Sequence, residues 1–243
     1  MSRSLIAAGA LALMAVNVSA DATTDLIESQ IRKIDARIPI NSIKPASIGN
    51  LYEVELGSGE VLYSDAKGEY FVLGQLYQLS DDKGFVNLTE QRANGQRKEL
   101  LEAVAADDKV TFPAQGPVKA SVYVFTDVDC PYCQKLHQEV PKLQEMGIAV
   151  EYLAFPRQGA GSPAHQKMVS IWCADDKQAA MTASKARQTL ENKTCDNPVL
   201  EQYALGQEVG VTGTPAIVTQ EGQLIPGYVP AERLAAMLGI TAE

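Results

Sequence analysis

Two of the four cysteines stand only two residues apart, as Cys130-Pro131-Tyr132-Cys133, and this quartet constrains the 243-residue chain more than any other feature. It follows an alternating apolar run, Val118–Thr126, and opens a segment of helix formers that extends to about Met146. The quartet is therefore predicted at a strand-to-helix junction. There Cys130 falls near the N-cap, where unpaired amides and the helix dipole stabilise an anion. Such surroundings lower a thiol's pKa and enrich the thiolate, which is the attacking species. Pro131 falls at N1, where its fixed φ suits the helix and its missing N–H costs nothing. Cys133 lies one turn in, close enough to close a disulfide and more shielded. The expected roles are Cys130 as nucleophile and Cys133 as resolving thiol, with Pro131 and Tyr132 completing the motif.

Two other readings compete. The quartet could be half of a zinc site, but the remaining cysteines, Cys173 and Cys195, form no second CxxC, and the chain has only two histidines, His137 and His165. A Cys/His set using His137, one turn beyond Cys133, is geometrically poor, so no metal is expected. Alternatively Cys130–Cys133 could be an inert bridge. So short a loop adds little closure entropy, which favours a redox role. Cys173 and Cys195 read as a structural disulfide around a helical segment. Closing that loop stabilises by roughly 3 kcal/mol in the chain-entropy picture. A second redox pair is the alternative, but neither cysteine carries a helix-start signature.

The compartment follows from the first residues. Met1–Ala20 has a basic start at Arg3, an apolar run over Leu5–Val18 and small residues at Val18-Ser19-Ala20, the pattern of a cleaved secretory leader rather than an anchor. Export places the cysteines where disulfides persist, and the bacterial periplasm is the expected location. The formal net charge of −9 lacks the basic footprint of a nucleic-acid binder. A 46% hydrophobic and 21% charged composition suits a globular chain.

Beyond the leader, three parts are expected. Residues 21–80 read as a small α+β unit. Ile27, Ile31, Ile34 and Ile38 make one stripe of a helix ended by Pro39, and short strands follow at Leu51–Leu56, Val61–Tyr63, Tyr70–Leu73 and Leu76–Leu79. Its thin core and open edge call for pairing with a second copy, and Gly74 is placed in the pairing strand. Residues 81–107 read as a solvated helical linker with a soft point at Asn94-Gly95. Residues 108–243 read as strand, helix, strand, helical insert, hairpin and helix, an α/β pattern. His137 and His165 are expected at the surface, Trp172 in the core, and Pro141 as a kink in the helix after the quartet. Asp127 and Asp129 are expected to be solvated or capping groups.

Several segments carry a resemblance: Phe125-Thr126-Asp127 leading into the quartet, Lys135-Leu136-His137, Tyr152 to Arg157, Ile171-Trp172-Cys173-Ala174, Tyr203 to Gly206, Gly210 to Ala216, and Pro226-Gly227-Tyr228. Together they resemble the DsbC/DsbG group of periplasmic thioredoxin-fold disulfide isomerases. The second cysteine pair makes the likeness to the DsbC branch the stronger. The resemblance implies a thioredoxin-like catalytic domain with a helical insert, plus a small cystatin-like N-terminal dimerisation domain. It implies that Pro215 is cis beside Cys130, that Thr214 offers its backbone to a substrate strand, and that no cofactor is needed. It further implies a homodimer, wrongly bridged exported proteins as substrates, and a membrane reductase of the DsbD type as electron donor. A DsbG-like reductase of single oxidised cysteines and a holdase chaperone are the rival functions.

Two departures stand out. Pro131 occupies a position where DsbC-type motifs often have Gly. Thioredoxin's buried acid, six residues before the first cysteine, is replaced by Val124, which leaves the proton acceptor of Cys133 unassigned.

Overall fold

The computed structural model describes residues 20–82 and 84–240, which divide into two compact units. The leader expected at 1–20 lies outside the described residues except for Ala20, the first residue of a helix.

The first unit comprises residues 20–56 and 61–74. Its helix α1 (Ala20–Ile34) packs on an antiparallel sheet of β1 (Ile40–Pro45), β2 (Leu51–Leu56), β3 (Val61–Asp65) and β4 (Phe71–Leu73), in that order. Ile27 and Ile31 bury against Val54 and Leu62. The expected stripe is shorter than read: Ile34 ends the helix 76% exposed, and Ile38 lies beyond it. β1, directly after Pro39, is a strand beyond those expected from the sequence. β4 is one edge of this sheet and β1 the other, and Val72 and Leu73 of β4 are exposed. Gly74 follows β4 rather than lying in it, at φ +146°, a conformation that favours glycine.

The second unit takes residues 57–60 and the chain from 75 onward. A two-stranded ribbon, β5 (Tyr77–Ser80) with β6 (Gly84–Asn87), leads into α2 (Leu88–Glu102). The Asn87 side chain caps α2 by accepting from the Glu90 N–H at 3.0 Å. α2 runs unbroken through Asn94-Gly95, and it is more than a solvated link. Leu101 is fully buried, and Arg97 Nε donates to the Val209 carbonyl at 2.9 Å. Gly222 explains how closely the chain passes here. It has φ +80°, and a Cβ on it would stand 1.8 Å from the Asn94 carbonyl oxygen.

After α2 come β7 (Val110–Phe112), β8 (Ala120–Thr126), α3 (Pro131–Gln138), α4 (Val140–Glu145) and β9 (Ile148–Ala154). The insert supplies α5 (Pro163–Trp172), α6 (Lys177–Lys185) and α7 (Val199–Glu208), and the chain closes with β10 (Ala216–Thr219), β11 (Leu224–Pro226) and α8 (Ala231–Met237). The five strands form one sheet in the order β11-β10-β8-β9-β7, with β8 and β9 parallel and the other neighbours antiparallel. Alternation along β8 sends Val122 and Val124 to one face and Tyr123 and Phe125 to the other. The first face packs on Leu136, Leu143, Met168 and Leu234; the second packs on Leu101, Val209 and Val211. Covering both faces is why β8 reads as a nearly continuous apolar run. Pro141 does break the helix after the quartet. It occupies the first turn of α4, and Glu139 separates α3 from α4.

Candidate active site

β8 ends at the sheet's C-terminal edge and hands the chain to α3 through Asp127-Val128-Asp129. Cys130 is the N-cap of α3, extended at φ −80° and ψ 121°, with Pro131 in the first turn. Its N–H donates to the Asp127 carbonyl at 3.3 Å, and its own carbonyl accepts from Gln134 N–H at 3.0 Å. Both thiols are reduced. Cys130 is 2% exposed and Cys133 fully buried, while Tyr132 projects outward, 62% exposed.

The Thr214–Pro215 peptide bond is cis and leads directly into β10, whose Ala216 pairs with Phe125 of β8. This pairing brings the Thr214 carbonyl 3.2 Å from Cys130 Sγ, where it accepts from the thiol. The Thr214 hydroxyl is buried with no hydrogen-bond partner. That orphaned donor is available to a thiolate at Cys130.

The two sulfurs are pushed in opposite directions. The Cys130 pKa is lowered to about 5, chiefly because Cys133 donates a hydrogen bond to its sulfur. Partial burial opposes this, and Thr214 with the amides of Cys133 and Tyr132 adds to it. Burial raises the Cys133 thiol well above the ordinary range, and its bond to Cys130 raises it further. The Lys185 charge, the Asp127 amide and the Thr126 hydroxyl pull it back. The arrangement gives one sulfur ready to attack at neutral pH and one that keeps its proton until called on.

Three neighbours differ from the sequence expectation. Asp127 is neither solvated nor a simple cap. Its buried carboxylate accepts from Arg157 N–H at 2.9 Å, Arg157 Nε at 3.1 Å and Asp129 N–H at 2.8 Å. Asp129 does reach solvent and pairs with Lys167 at 2.7 Å. His137, expected at the surface, is only 8% exposed. Its Nδ1 lies 3.0 Å from the Tyr152 hydroxyl and its Nε2 3.1 Å from Thr182 Oγ1. Burial, helped by the Lys185 charge, lowers its pKa to about 4 and keeps it neutral. His165 is partly exposed and accepts from the Gly161 N–H.

Lys185 was missed altogether. It is 5% exposed, and its Nζ donates to Thr126 Oγ1 at 2.6 Å and to the Asp127 carbonyl at 3.0 Å. The signal was present: Met181, Ser184 and Lys185 are the buried positions of α6, one helical stripe. A charge at the end of that stripe reads as its solvated edge.

Cys173 caps the C-terminal end of α5 and is bonded to Cys195, 22 positions on, with Cα atoms 5.7 Å apart and χ3 of −86°. These values lie within the usual disulfide geometry. Trp172 is buried beside it, with Nε1 donating to the Asp108 carbonyl at 2.7 Å. Among the described residues, no group of three His, Cys, Asp or Glu side chains is placed to hold a metal ion, and no helix is long and apolar enough to cross a membrane.

The thioredoxin-like domain family matches residues 106–241, and the disulfide bond isomerase protein N-terminal domain matches residues 17–90. The thiol:disulfide interchange protein DsbC of Escherichia coli K12 is 37% identical over 214 residues, covering 87% of each chain. The chain belongs to the DsbC family of thiol:disulfide interchange proteins. DsbC of Dickeya dadantii is 38% identical over 196 residues, covering 81% of this chain and 79% of its own. Among solved structures, a disulfide interchange protein from Neisseria gonorrhoeae matches 56% of this chain and 96% of its own at 30% identity and a TM-score of 0.50. Proteus mirabilis ScsC, at 19% identity and a TM-score of 0.51, shares the fold. The DsbC-family chain thus combines a thioredoxin-like domain with a DsbC N-terminal domain, and its chemistry is thiol–disulfide interchange.

Proposed function

We propose that the chain works as a homodimeric disulfide isomerase of the bacterial periplasm. In this reading the Cys130 thiolate attacks a wrongly formed disulfide of an exported protein. A bond forms between Cys130 and one substrate sulfur, and the other substrate sulfur leaves as a thiolate. A second substrate thiol then displaces Cys130, and the net change is a rearranged disulfide with no net oxidation. If Cys133 displaces the substrate instead, a Cys130–Cys133 bridge forms and the substrate is reduced by two electrons. Restoring the dithiol then requires an external donor, assigned here to a membrane reductase of the DsbD type.

The single observation that carries this reading is the opposed tuning of the two sulfurs, with Cys130 lowered to about 5 beside the cis Thr214–Pro215 bond. A cleft of ≈160 Å³ lined by Val211, Thr212, Thr214, Pro215, Leu224 and Gly227 leaves room for an extended substrate segment along Thr214. The Cys173–Cys195 bridge is assigned a structural role. Dimerisation through the free edge of β4 is supported by the exposed Val72 and Leu73, since an apolar edge strand left open is an aggregation liability. Periplasmic location rests on the leader pattern of residues 1–20.

Refolding of a scrambled multi-disulfide protein tests the reading. The Cys130→Ala variant is expected to lose all acceleration. Recovery at the wild-type rate would reassign the chain to a holdase role.

A further inference from the structure

A lysine ammonium in a protein interior costs several kcal/mol unless an opposite charge compensates it. Lys185 is buried, and among the described residues none of the ion pairs includes it. Its amine instead meets two oxygens, Thr126 Oγ1 at 2.6 Å and the Asp127 carbonyl at 3.0 Å. The Thr126 hydroxyl, so engaged as an acceptor on the amine side, favours the charged form of Cys133 on the other. Lys185 also acts on that sulfur directly through its charge.

We propose that Lys185 is the positioning residue of the resolving step: acting through Thr126, it stabilises the anion that Cys133 must become to close the Cys130–Cys133 bridge. This rests on the interchange reading above and adds to it what makes a deeply buried thiol usable.

The surroundings favour this role over that of a simple tether between α6 and β8. The groups facing the amine are Cys130, Cys133 and the neutral His137 from α3, Asp127 and Asp129 from the loop before it, and Tyr152 from β9, whose ring centroid is 5.9 Å away. Of these, the two sulfurs alone alternate between neutral and charged forms during interchange. Burial lowers the Lys185 pKa to about 8, with Cys133 the largest opposing influence, so the amine remains mostly cationic at neutral pH. A cleft of ≈300 Å³ lined by Gln134, His137, Thr182, Lys185 and Ala186 opens beside it.

The step balances without a further reagent. Cys133 gives up its proton, and its thiolate attacks Cys130 Sγ in the mixed disulfide. The bond between Cys130 and the substrate sulfur breaks, and the departing thiolate takes a proton from solvent. The substrate sulfur is reduced and the enzyme dithiol is oxidised by two electrons.

Ellman's reagent separates the two steps on the reduced full-length protein. Attack by Cys130 releases one aromatic thiolate, and displacement by Cys133 releases the second. In Lys185→Met, which matches the stem without the charge, the second release is expected to slow at least about tenfold at neutral pH, and its pH midpoint to move up. Thr126→Val should do the same and Thr126→Ser should restore the wild-type profile, a rescue that a purely structural role for the charge does not predict. A second phase with unchanged rate and midpoint in both Lys185→Met and Thr126→Val would overturn the inference and leave the interchange reading intact. Absence of the first phase in the wild type would instead overturn the interchange reading. If Lys185→Met fails to fold, the two Thr126 variants decide the question by the same readouts.

Discussion

Acid sensitivity of the fold should be traceable to one imidazole. His137 is buried and neutral, held between the Tyr152 and Thr182 hydroxyls, with its pKa lowered to about 4. In the unfolded chain the same ring titrates near ~6.5. Between these values the unfolded state binds a proton that the folded state does not, so stability falls as pH falls. Going from about pH 7 to about pH 4.5, this one group costs roughly 2 kcal/mol, with a further loss down to the folded pKa. The comparison is cleanest on the oxidised protein, where neither Cys130 nor Cys133 titrates. Lys185 is present in both proteins, so its own pH dependence cancels in the comparison. Urea unfolding of wild type and His137→Gln at the two pH values isolates the effect, because the carboxylates titrate alike in both. Wild type should lose about 2 kcal/mol more than the variant. Equal acid losses would refute the burial argument, and a larger loss in the variant would reverse its sign.

Other consequences are read more simply. Replacing Cys173 and Cys195 together by Ala should lower stability by about 3 kcal/mol in urea unfolding, the closure entropy of a loop of that length. A loss below about 1 kcal/mol would show that the loop is already constrained without the bond. Placing Asp at Leu73, exposed on the outer strand β4, should convert a dimer to monomers in sedimentation, and an intact dimer would move the interface elsewhere.

How much of this was legible in the sequence depended on whether the signal was local. The strand entering Cys130-Pro131-Tyr132-Cys133 and the proline start of α3 were legible because alternation, capping and a fixed φ act over a few residues. So was the break at Pro141. β1 and β7 were not: three residues at Val110–Phe112 carry too little periodicity, and only pairing with β9 makes them a strand. The buried ends of α2 and α6 were hidden for a related reason. Leu101 and Lys185 sit on faces whose partners, Val209 and Thr126, are far off in sequence. Histidine and lysine near a functional motif read as solvated by residue type, yet here a tyrosine, two threonines and a backbone carbonyl make their burial tolerable. The same holds for Asp127, whose partner Arg157 lies 30 positions on, in the turn after β9.

The fold makes one sulfur a ready thiolate while its neighbour keeps its proton. The rate of iodoacetamide alkylation of the reduced protein as a function of pH, with the label mapped by mass spectrometry, measures this directly. Labelling is expected at Cys130 with a midpoint at about 5. A midpoint near the ordinary cysteine value of ~8.5, or a label found first on Cys133, would contradict it.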